Sequence, residues 1–440
     1  MRAAGEAAPY NRATTNRRVS PFRIVSISQP PAGAADVPRS TVVGVVTAAT
    51  VAQVAAVMGI SVFPVIALPL AADMGVEPSL IGYQMSIVYG AATFSAPWLS
   101  TGVSRWGACR ATQVGLAFCV LGCLLAFTSN IAALVVASLL LGCSVTMMTP
   151  TSAHLLMRFT PPQNRVFLFS LKQTGVPLAW ALMALIAPPI TQAYGWRWSL
   201  LVVVVVAGGT ALALQPVRAH WDDDRHTLRA KRASAMEGLK VLWERPTLRW
   251  LVMSAFCLAF VQLCLGTFLV TMLVKEAGYS LVAAGFMLSI TQLAGVTGRI
   301  VCGWIADRTG NSLQLLRVLS LVGTFCCPLI ALVTPAWPMP VVVLFFFAFG
   351  ASSVGWNGLY VAEIARRSPP GRASTTTGGA AVWNFGGILA GPAVFATVYR
   401  GVGSYAFTYV LLSLVGLAGS ALIMMAIAAA RREAAGRPQP

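Results

Sequence analysis

Hydrophobic residues fill long stretches of the chain, which are separated by short segments rich in Arg, Gly and Pro. An apolar stretch of about 20 residues is long enough to cross the hydrocarbon core of a bilayer. A helix is the expected form there, because its backbone groups are satisfied within the segment. The pattern places helices at 42–70, 79–103, 110–128, 131–157, 166–190, 198–217, 250–274, 281–305, 314–334, 339–364, 373–399 and 405–430. We therefore predict an all-α membrane protein with twelve transmembrane helices.

The second half of the chain repeats the first. Three glycine pairs are each 203 positions apart: Gly75 and Gly278, Gly82 and Gly285, Gly107 and Gly310. Gly195 and Gly403 are 208 positions apart, and so small a change of length falls in loops, where it costs little. Such a duplication predicts two pseudo-symmetric six-helix bundles, an arrangement typical of transporters.

The helices and the repeat divide the chain into two bundles and a linker. We assign 41–217 to the N-terminal bundle, 218–248 to a cytoplasmic linker and 249–432 to the C-terminal bundle. Residues 1–40 are interpreted as a disordered cytoplasmic tail, with an organellar transit peptide as the alternative, and 433–440 as a C-terminal tail. The acids Asp222, Asp223 and Asp224 are interpreted as a solvated part of the linker, with attraction of a cation as the alternative.

Composition and charge support the membrane setting. With 57% hydrophobic and 10% charged residues, the chain is too apolar for a soluble domain of this length. The net charge of +18 is concentrated in the tails, the linker and alternate loops, while Arg197, Lys275 and Arg400 are on the other side. This bias predicts that both termini are cytoplasmic, and it leaves no need for nucleic-acid binding. The preference for Arg and Ala over Lys suggests a bacterial protein, and hence the cytoplasmic (inner) membrane.

A motif follows the eighth predicted helix, in the loop on the cytoplasmic side. Gly303, Asp307, Arg308 and Gly310 form a Gly-x-x-x-Asp-Arg-x-Gly pattern. With the two six-helix units and the basic linker, this motif makes the chain resemble the major facilitator superfamily over nearly all of residues 41–432. The resemblance implies two bundles that rock around a midplane cavity, and a cytoplasmic latch that holds the outward-open state. By resemblance, we assign the latch to Asp307, Arg308, Glu363 and Arg366.

The motif residues have physical properties that suit such a latch. Gly303 permits close helix contact, Asp307 can accept hydrogen bonds from the N-terminus of a neighbouring helix, and Arg308 can pair with an acid across the loop. Glu363, at the end of the tenth helix on the same side, is the candidate partner.

The first half lacks both latch acids. Ser104 and Leu155 stand at the positions that correspond to the two acids, so that Arg105, Arg158 and Arg165 have no obvious partner. We therefore predict an asymmetric latch that depends on the second half.

Two charged residues lie inside predicted helices, and charges there are expensive and often functional. They are Lys172 in the fifth helix and Arg299 in the eighth. Either could extend toward the cytoplasmic surface instead of the cavity. No Asp or Glu occupies the middle of a predicted helix, which favours an anionic solute and leaves open whether a proton or a counter-anion is coupled.

Polar and aromatic residues near the predicted midplane complete the candidate substrate site. They are Tyr89, Gln173, Gln292, Trp356, Asn357, Tyr360, Trp383 and Asn384. Binding at the midplane between repeats is expected of such transporters, although any of these residues could simply join two helices through a hydrogen bond.

The sequence thus predicts a secondary active transporter of a small organic solute, an organic anion such as a carboxylate. Export of hydrophobic compounds is the alternative within transport. A non-transporting membrane sensor is the alternative of another class, but the linker is too short for a folded signalling domain. No pattern of an enzyme, a metal site or a cofactor site is present. We expect a monomer whose partners are the lipid bilayer and a small-molecule substrate.

Overall fold

The structure is a computed structural model that describes residues 38–99, 102–161, 165–224, 235–369 and 372–435. The expected N-terminal tail falls almost wholly outside these ranges. Within them the secondary structure is helical, and eleven helices are long and apolar enough to cross a membrane. The chain is an integral membrane protein.

The first half contains six membrane helices, some of them broken. Its elements are α1 (Arg39–Val65), α2 (Ala67–Met74), α3 (Ile81–Leu99), α4 (Gly102–Trp106), α5 (Ala108–Ala126), α6 (Ile131–Phe159), α7 (Arg165–Gln173), α8 (Gly175–Tyr194), α9 (Trp196–Ala213) and α10 (Arg218–Trp221). α1 continues into α2 after Ile66, and α7 continues into α8 after Thr174. Both interruptions are short, since the N–H of Ile66 donates to the carbonyl of Val62 and that of Thr174 donates to the carbonyl of Leu171.

The second half follows the same plan. Its elements are α11 (Ala235–Glu244), α12 (Pro246–Lys275), α13 (Leu281–Thr309), α14 (Ser312–Leu329), α15 (Met339–Gly355), α16 (Asn357–Arg367), α17 (Ala373–Val402) and α18 (Tyr405–Ala435). α15 and α16 form one membrane helix that is interrupted at Trp356.

The helix α3 is the second of the twelve predicted helices, and it is not among the eleven most apolar ones. It is a continuous helix of 19 residues whose polar side chains contact protein. Tyr83 bonds Thr397 at 2.8 Å, and Ser86 donates to the carbonyl of Leu389 at 2.7 Å. The twelve-helix layout holds, and α3 is more polar because it faces the other half.

The repeat read from the sequence reappears in the backbone. In the described chain, six glycines have positive φ, and they form three repeat-related pairs: Gly75 and Gly278, Gly107 and Gly310, Gly195 and Gly403. An L-residue with a side chain rarely adopts this conformation, so glycine is required at these turns. The two halves therefore turn at equivalent points.

The bundle has two ends that differ in charge. We call the end that carries Arg39, Arg158 and Arg308 the basic face, and the end that carries Glu77 and Lys275 the opposite face. The closest approaches between the halves lie toward the opposite face, where α3 packs on α17 and α8 packs on α13.

Two repeat-related glycines permit these approaches. A Cβ on Gly82 would lie 2.7 Å from Cζ of Phe268 and would also collide with the carbonyl of Pro392. A Cβ on Gly285 would lie 2.5 Å from Cγ of Pro188, on the first half. An ion pair adds to the closure, since Lys275 donates to Glu77 at 2.7 Å. The structure is closed at the opposite face.

Candidate functional site

A cavity of about 200 Å³ lies between the two halves and is lined by both. Its polar lining comprises Gln53, Tyr89, Thr149, Gln173, Gln262, Gln292, Arg299, Asn357 and Asn384. Trp180, Leu263 and Phe385 are among its apolar residues. No Asp or Glu of the described chain lines it, so Arg299 is its charged group.

The helix interruptions position Arg299. Its Nε donates to the carbonyl of Val354 at 3.3 Å, near the end of α15, and a longer contact of 3.5 Å reaches the carbonyl of Gln173, at the end of α7. Carbonyls at helix C-termini carry partial negative charge and can hold a guanidinium without a carboxylate. The positive charge of Arg299 is therefore left largely uncompensated beside the cavity.

Six predicted site residues share this cavity. They are Tyr89, Gln173, Gln292, Arg299, Asn357 and Asn384. Tyr89 and Gln292 are separated by the repeat offset of 203 and line the cavity from opposite halves.

Lys172 lies just behind the cavity. It is 2% exposed, and its ammonium donates to Oε1 of Gln53 at 2.5 Å and to Oε1 of Gln173 at 3.2 Å. Lys172 does not extend to the surface. It contacts two glutamines that line the cavity and does not line the cavity itself.

Three predicted site residues lie in packed regions away from the lining. Trp356 is 1% exposed and donates from Nε1 to Oε1 of Gln262 at 3.0 Å. Tyr360 is 3% exposed and donates to the carbonyl of Ala380 at 3.4 Å. Trp383 stacks on Trp243 of α11, with ring centroids 5.6 Å apart. Their aromatic rings belong to the packing of the second half.

Two lining residues, Gln53 and Gln262, were missed by the sequence analysis. They lie on α1 and α12, the first membrane helix of each half. A glutamine in the middle of an otherwise apolar helix was the signal that could have found them.

The Gly-x-x-x-Asp-Arg-x-Gly motif is helical rather than a loop. α13 runs to Thr309 and ends at Gly310, whose φ is 66°. A Cβ on Gly303 would meet no atom within 4 Å, so close helix contact at this glycine is absent from the present arrangement. Asp307 is exposed and has no hydrogen bond or ion pair within the described ranges.

The charges expected to form the latch pair differently in this arrangement. Arg308 lies over the ring of Trp304, 4.0 Å from its centroid. The side chain of Glu363 is 1% exposed and pairs on its own helix with Arg366 at 2.7 Å and Arg367 at 2.5 Å. The assignment of a latch to these residues remains a prediction about another arrangement of the halves.

The first half obtains its acids from the linker, and the expectation of a solvated acidic segment is wrong for Asp222, while Asp223 is exposed. Asp222 is 6% exposed and accepts from the backbone N–H groups of Cys109 at 2.7 Å and Arg110 at 2.9 Å, at the start of α5. Arg158, expected to have no obvious partner, pairs with Asp223 and with Asp224. The sequence lacked this information because the acids and their partners are far apart along the chain.

The chain resembles proteins of known family. The family model of the Major Facilitator Superfamily matches residues 49–392. An uncharacterized MFS-type transporter of Mycobacterium tuberculosis (strain CDC 1551 / Oshkosh) is 26% identical over 211 residues, which is 48% of this chain and 46% of the relative. A protein of Chlamydia pneumoniae described as a "Probable hexose phosphate transport protein" is 24% identical over 276 residues, 55% of this chain and 60% of the relative. The chain thus matches roughly half the length of these curated relatives.

Solved structures share the fold at low sequence identity. The nucleoside transporter NupG aligns with a TM-score of 0.68 and 13% identity, covering 87% of this chain and 99% of that one. The peptide transporter POT in complex with sulfate aligns with a TM-score of 0.69 and 15% identity, covering 88% of this chain and 94% of that one. A bacterial homolog to the human lysosomal transporter Spinster, in an inward-facing and occupied conformation, aligns with a TM-score of 0.69 and 14% identity. The alignment covers 92% of this chain and 100% of that one. The match of the family model to residues 49–392 shows that the chain, which shares its fold with these solved structures, belongs to the Major Facilitator Superfamily.

Proposed function

We propose that the protein is a secondary active transporter that carries a small organic anion, a carboxylate foremost, by alternating access. The observation that carries the proposal is Arg299, beside a cavity that no described acid lines. Four glutamines and two asparagines share the lining and can donate hydrogen bonds to an anion.

The energetics favour an anion with an apolar body. A guanidinium without a carboxylate partner inside a membrane protein is costly, and an anion that pairs with it removes this cost. Trp180, Leu263 and Phe385 can bury the organic part of the solute, since apolar area contributes about 25 cal/mol per Å².

The head group is better matched by a carboxylate than by a phosphate ester. The Chlamydia relative's name suggests a phosphate ester as the competing anion. One guanidinium can pair with one carboxylate through two parallel hydrogen bonds, whereas the second charge of a phosphate dianion would have no cation of the described lining in direct contact. Lys172 is separated from the cavity by Gln53 and does not alter this count of direct partners.

Export of a hydrophobic compound is the second candidate. The apolar lining residues, which include Val57, Ile60 and Ile388 as well as the aromatic ones, support it. It differs from the first proposal in one testable respect, because it does not need the positive charge of Arg299.

A ligand panel tests the proposal. Purified protein is screened by thermal unfolding with carboxylates, phosphate esters, sugars, cations and neutral drugs, because a ligand of the native state raises the midpoint. We expect carboxylates to stabilise the wild type and to lose about tenfold or more in affinity in Arg299→Met, since a charge-assisted hydrogen bond contributes about 1.5–3 kcal/mol. Arg400→Met, an exposed charge at the end of α17, is the matched control.

Uptake into liposomes decides between the candidates. Carboxylate uptake that is weakened about tenfold or more in Arg299→Met and kept in Arg400→Met supports the anion transporter. Stabilisation and transport of neutral drugs alone, unchanged in Arg299→Met, would replace it with the hydrophobic exporter.

We further propose that the protein is a monomer in a bacterial cytoplasmic membrane, with the basic face and both termini in the cytoplasm. The excess of Arg and Lys at the basic face supports this orientation. Reporter fusions at the two termini test it, and a periplasmic signal from either would refute it. A coupled proton or counter-anion is tested by the dependence of uptake on a pH gradient or on anion loading.

A further inference from the structure

Gln53 and Gln262 lie on the first membrane helix of each half, and each is held from behind by a buried donor. Both line the cavity, Gln53 from α1 and Gln262 from α12. Nζ of Lys172 donates to Oε1 of Gln53 at 2.5 Å, and Nε1 of Trp356 donates to Oε1 of Gln262 at 3.0 Å. The two donors are 2% and 1% exposed.

The chemistry of the donors fixes the orientation of each amide. An ammonium group and an indole N–H can donate hydrogen bonds and cannot accept them. The atom of each glutamine that faces its donor is therefore the carbonyl oxygen, and the NH2 group is the end left for the cavity. No other hydrogen bond to a described residue occupies either NH2 group.

We infer that Lys172 and Trp356 are positioning residues that hold Gln53 and Gln262 as hydrogen-bond donors, so that the cavity selects anions over neutral and cationic molecules of the same shape. The inference rests on the proposed anion transport, and it explains how the cavity would distinguish anions from other molecules of the same shape. A glutamine free to rotate can present either its oxygen or its nitrogen and does not discriminate by charge. Here a reversed amide would set its NH2 group against a second buried donor, which leaves both unsatisfied at a cost of about 1–3 kcal/mol each.

The two donors differ in charge, so their replacement distinguishes an effect of positioning from an effect of charge. Lys172 brings both a donor and a positive charge, so its replacement alters both. Trp356 brings a donor and no charge, and its effect on anion selectivity can come only through Gln262 or through packing.

Three probes of one shape test the selectivity. Benzoate, benzamide and benzamidine share a ring and a planar three-atom head and differ in charge. We expect calorimetry on the purified full chain to show that the wild type binds benzoate more tightly than benzamide, and benzamidine least. Gln53→Glu and Gln262→Glu replace the donor by a carboxylate oxygen, and each is expected to weaken benzoate binding by about tenfold or more. Gln192→Glu, at an exposed position near the end of α8, is the matched control and leaves the order unchanged.

Conservative changes behind the glutamines test the positioning role. Trp356→Phe keeps an aromatic ring and removes the N–H group, so Gln262 can turn its oxygen to the cavity. We expect the ratio of the benzoate affinity to the benzamide affinity to fall by about threefold to tenfold. The average of the two binding free energies should change less than their difference. Trp250→Phe, a partly buried tryptophan on the same helix as Gln262, is the control and keeps the preference. Lys172→Met is expected to act in the same direction.

The outcomes distinguish this inference from the proposed function. If the wild type is stabilised by no anion, the proposed function itself fails. If the wild type binds benzoate no more tightly than benzamide, or if benzoate binding persists in both glutamate variants, the donor role of the glutamines is refuted and anion transport can still stand. If Lys172→Met alone changes the preference and Trp356→Phe does not, Lys172 acts by its charge and the positioning role is wrong.

Discussion

Adding one methyl group at Gly82 or Gly285 should force the two halves apart at the opposite face. Gly82 on α3 lies against α17, and Gly285 on α13 lies against α8. In Gly82→Ala the new Cβ would lie 2.7 Å from Cζ of Phe268 and 2.9 Å from Cβ of Ala396. Backbone carbonyls on the facing helices also block both positions, and they cannot move without moving the helix.

The size of the effect follows from the kind of obstruction. Overpacking of a closely packed site costs about 1–3 kcal/mol. The cost falls only on the arrangement closed at the opposite face, because the two surfaces separate in any other arrangement. The ratio of closed to open molecules should therefore fall by a factor of roughly 5 to 150 for each substitution.

Electron paramagnetic resonance measures this ratio as a distance distribution. Spin labels at Tyr194 and Val402 report on the two halves, since these residues are exposed at ends of α8 and α17 on the opposite face. The nine native cysteines are replaced first. We expect a longer distance to gain population in Gly82→Ala and Gly285→Ala. Gly209→Ala is the control, because a Cβ there meets no atom within 4 Å.

The result that contradicts this reasoning is a folded Gly82→Ala or Gly285→Ala variant with an unchanged distance distribution. An equal change in Gly209→Ala would contradict it as well, because the effect would then come from helix propensity rather than from contact between the halves.

Three further changes test separate parts of the structure. Asp222→Ala should lower the free energy of unfolding by about 1–2 kcal/mol through loss of the α5 cap, measured by thermal unfolding against Asp222→Asn, which keeps one acceptor. The hydrogen bond from Ser129, with the nearby Arg197, lowers the pKa of Asp73 below its ordinary 3.8. The stabilisation is therefore present above pH 3.8 and lost as the pH falls through the lower folded pKa, so the unfolding midpoints of wild type and Asp73→Asn should differ at neutral pH and converge in acid. Lys275→Met should shift the spin-label distances less than Gly82→Ala does, because an exposed ion pair contributes only about 0–1 kcal/mol.

The sequence predicted what local demands determine. A membrane helix needs a continuous apolar stretch, and a tight turn with positive φ needs glycine. Both features can therefore be recognised from the local sequence. The pairs Gly107 with Gly310 and Gly82 with Gly285 were recognised by spacing alone, and the structure shows turns at the first pair and close helix contacts at the second. The helix α3 was also predicted, but nothing in the sequence indicated that its polar side chains contact the other half.

The site was only partly predictable, because its geometry depends on which residues stand behind the lining. Arg299 and Gln292 could be proposed from a polar residue within an apolar helix. The separation of Lys172 from the cavity could not, since it requires knowing that Gln53, 119 positions away, lies between them. Trp356 illustrates the same limit, because an aromatic residue near the midplane looks alike whether it contacts a solute or orients a neighbour.

The acids near the basic face differ between the two halves in burial and in hydrogen bonding, although the backbone is duplicated. In the first half Asp222 comes from the linker, caps α5 and is buried, so it cannot change partners without breaking that helix end. In the second half Asp307 belongs to the motif itself, is exposed and makes no hydrogen bond to the rest of the described chain. A residue that must pair in one arrangement and release in the other has to be unengaged in one of them. Asp307 meets this condition and Asp222 does not, which is why we expect the switching contact at the basic face to depend on the second half.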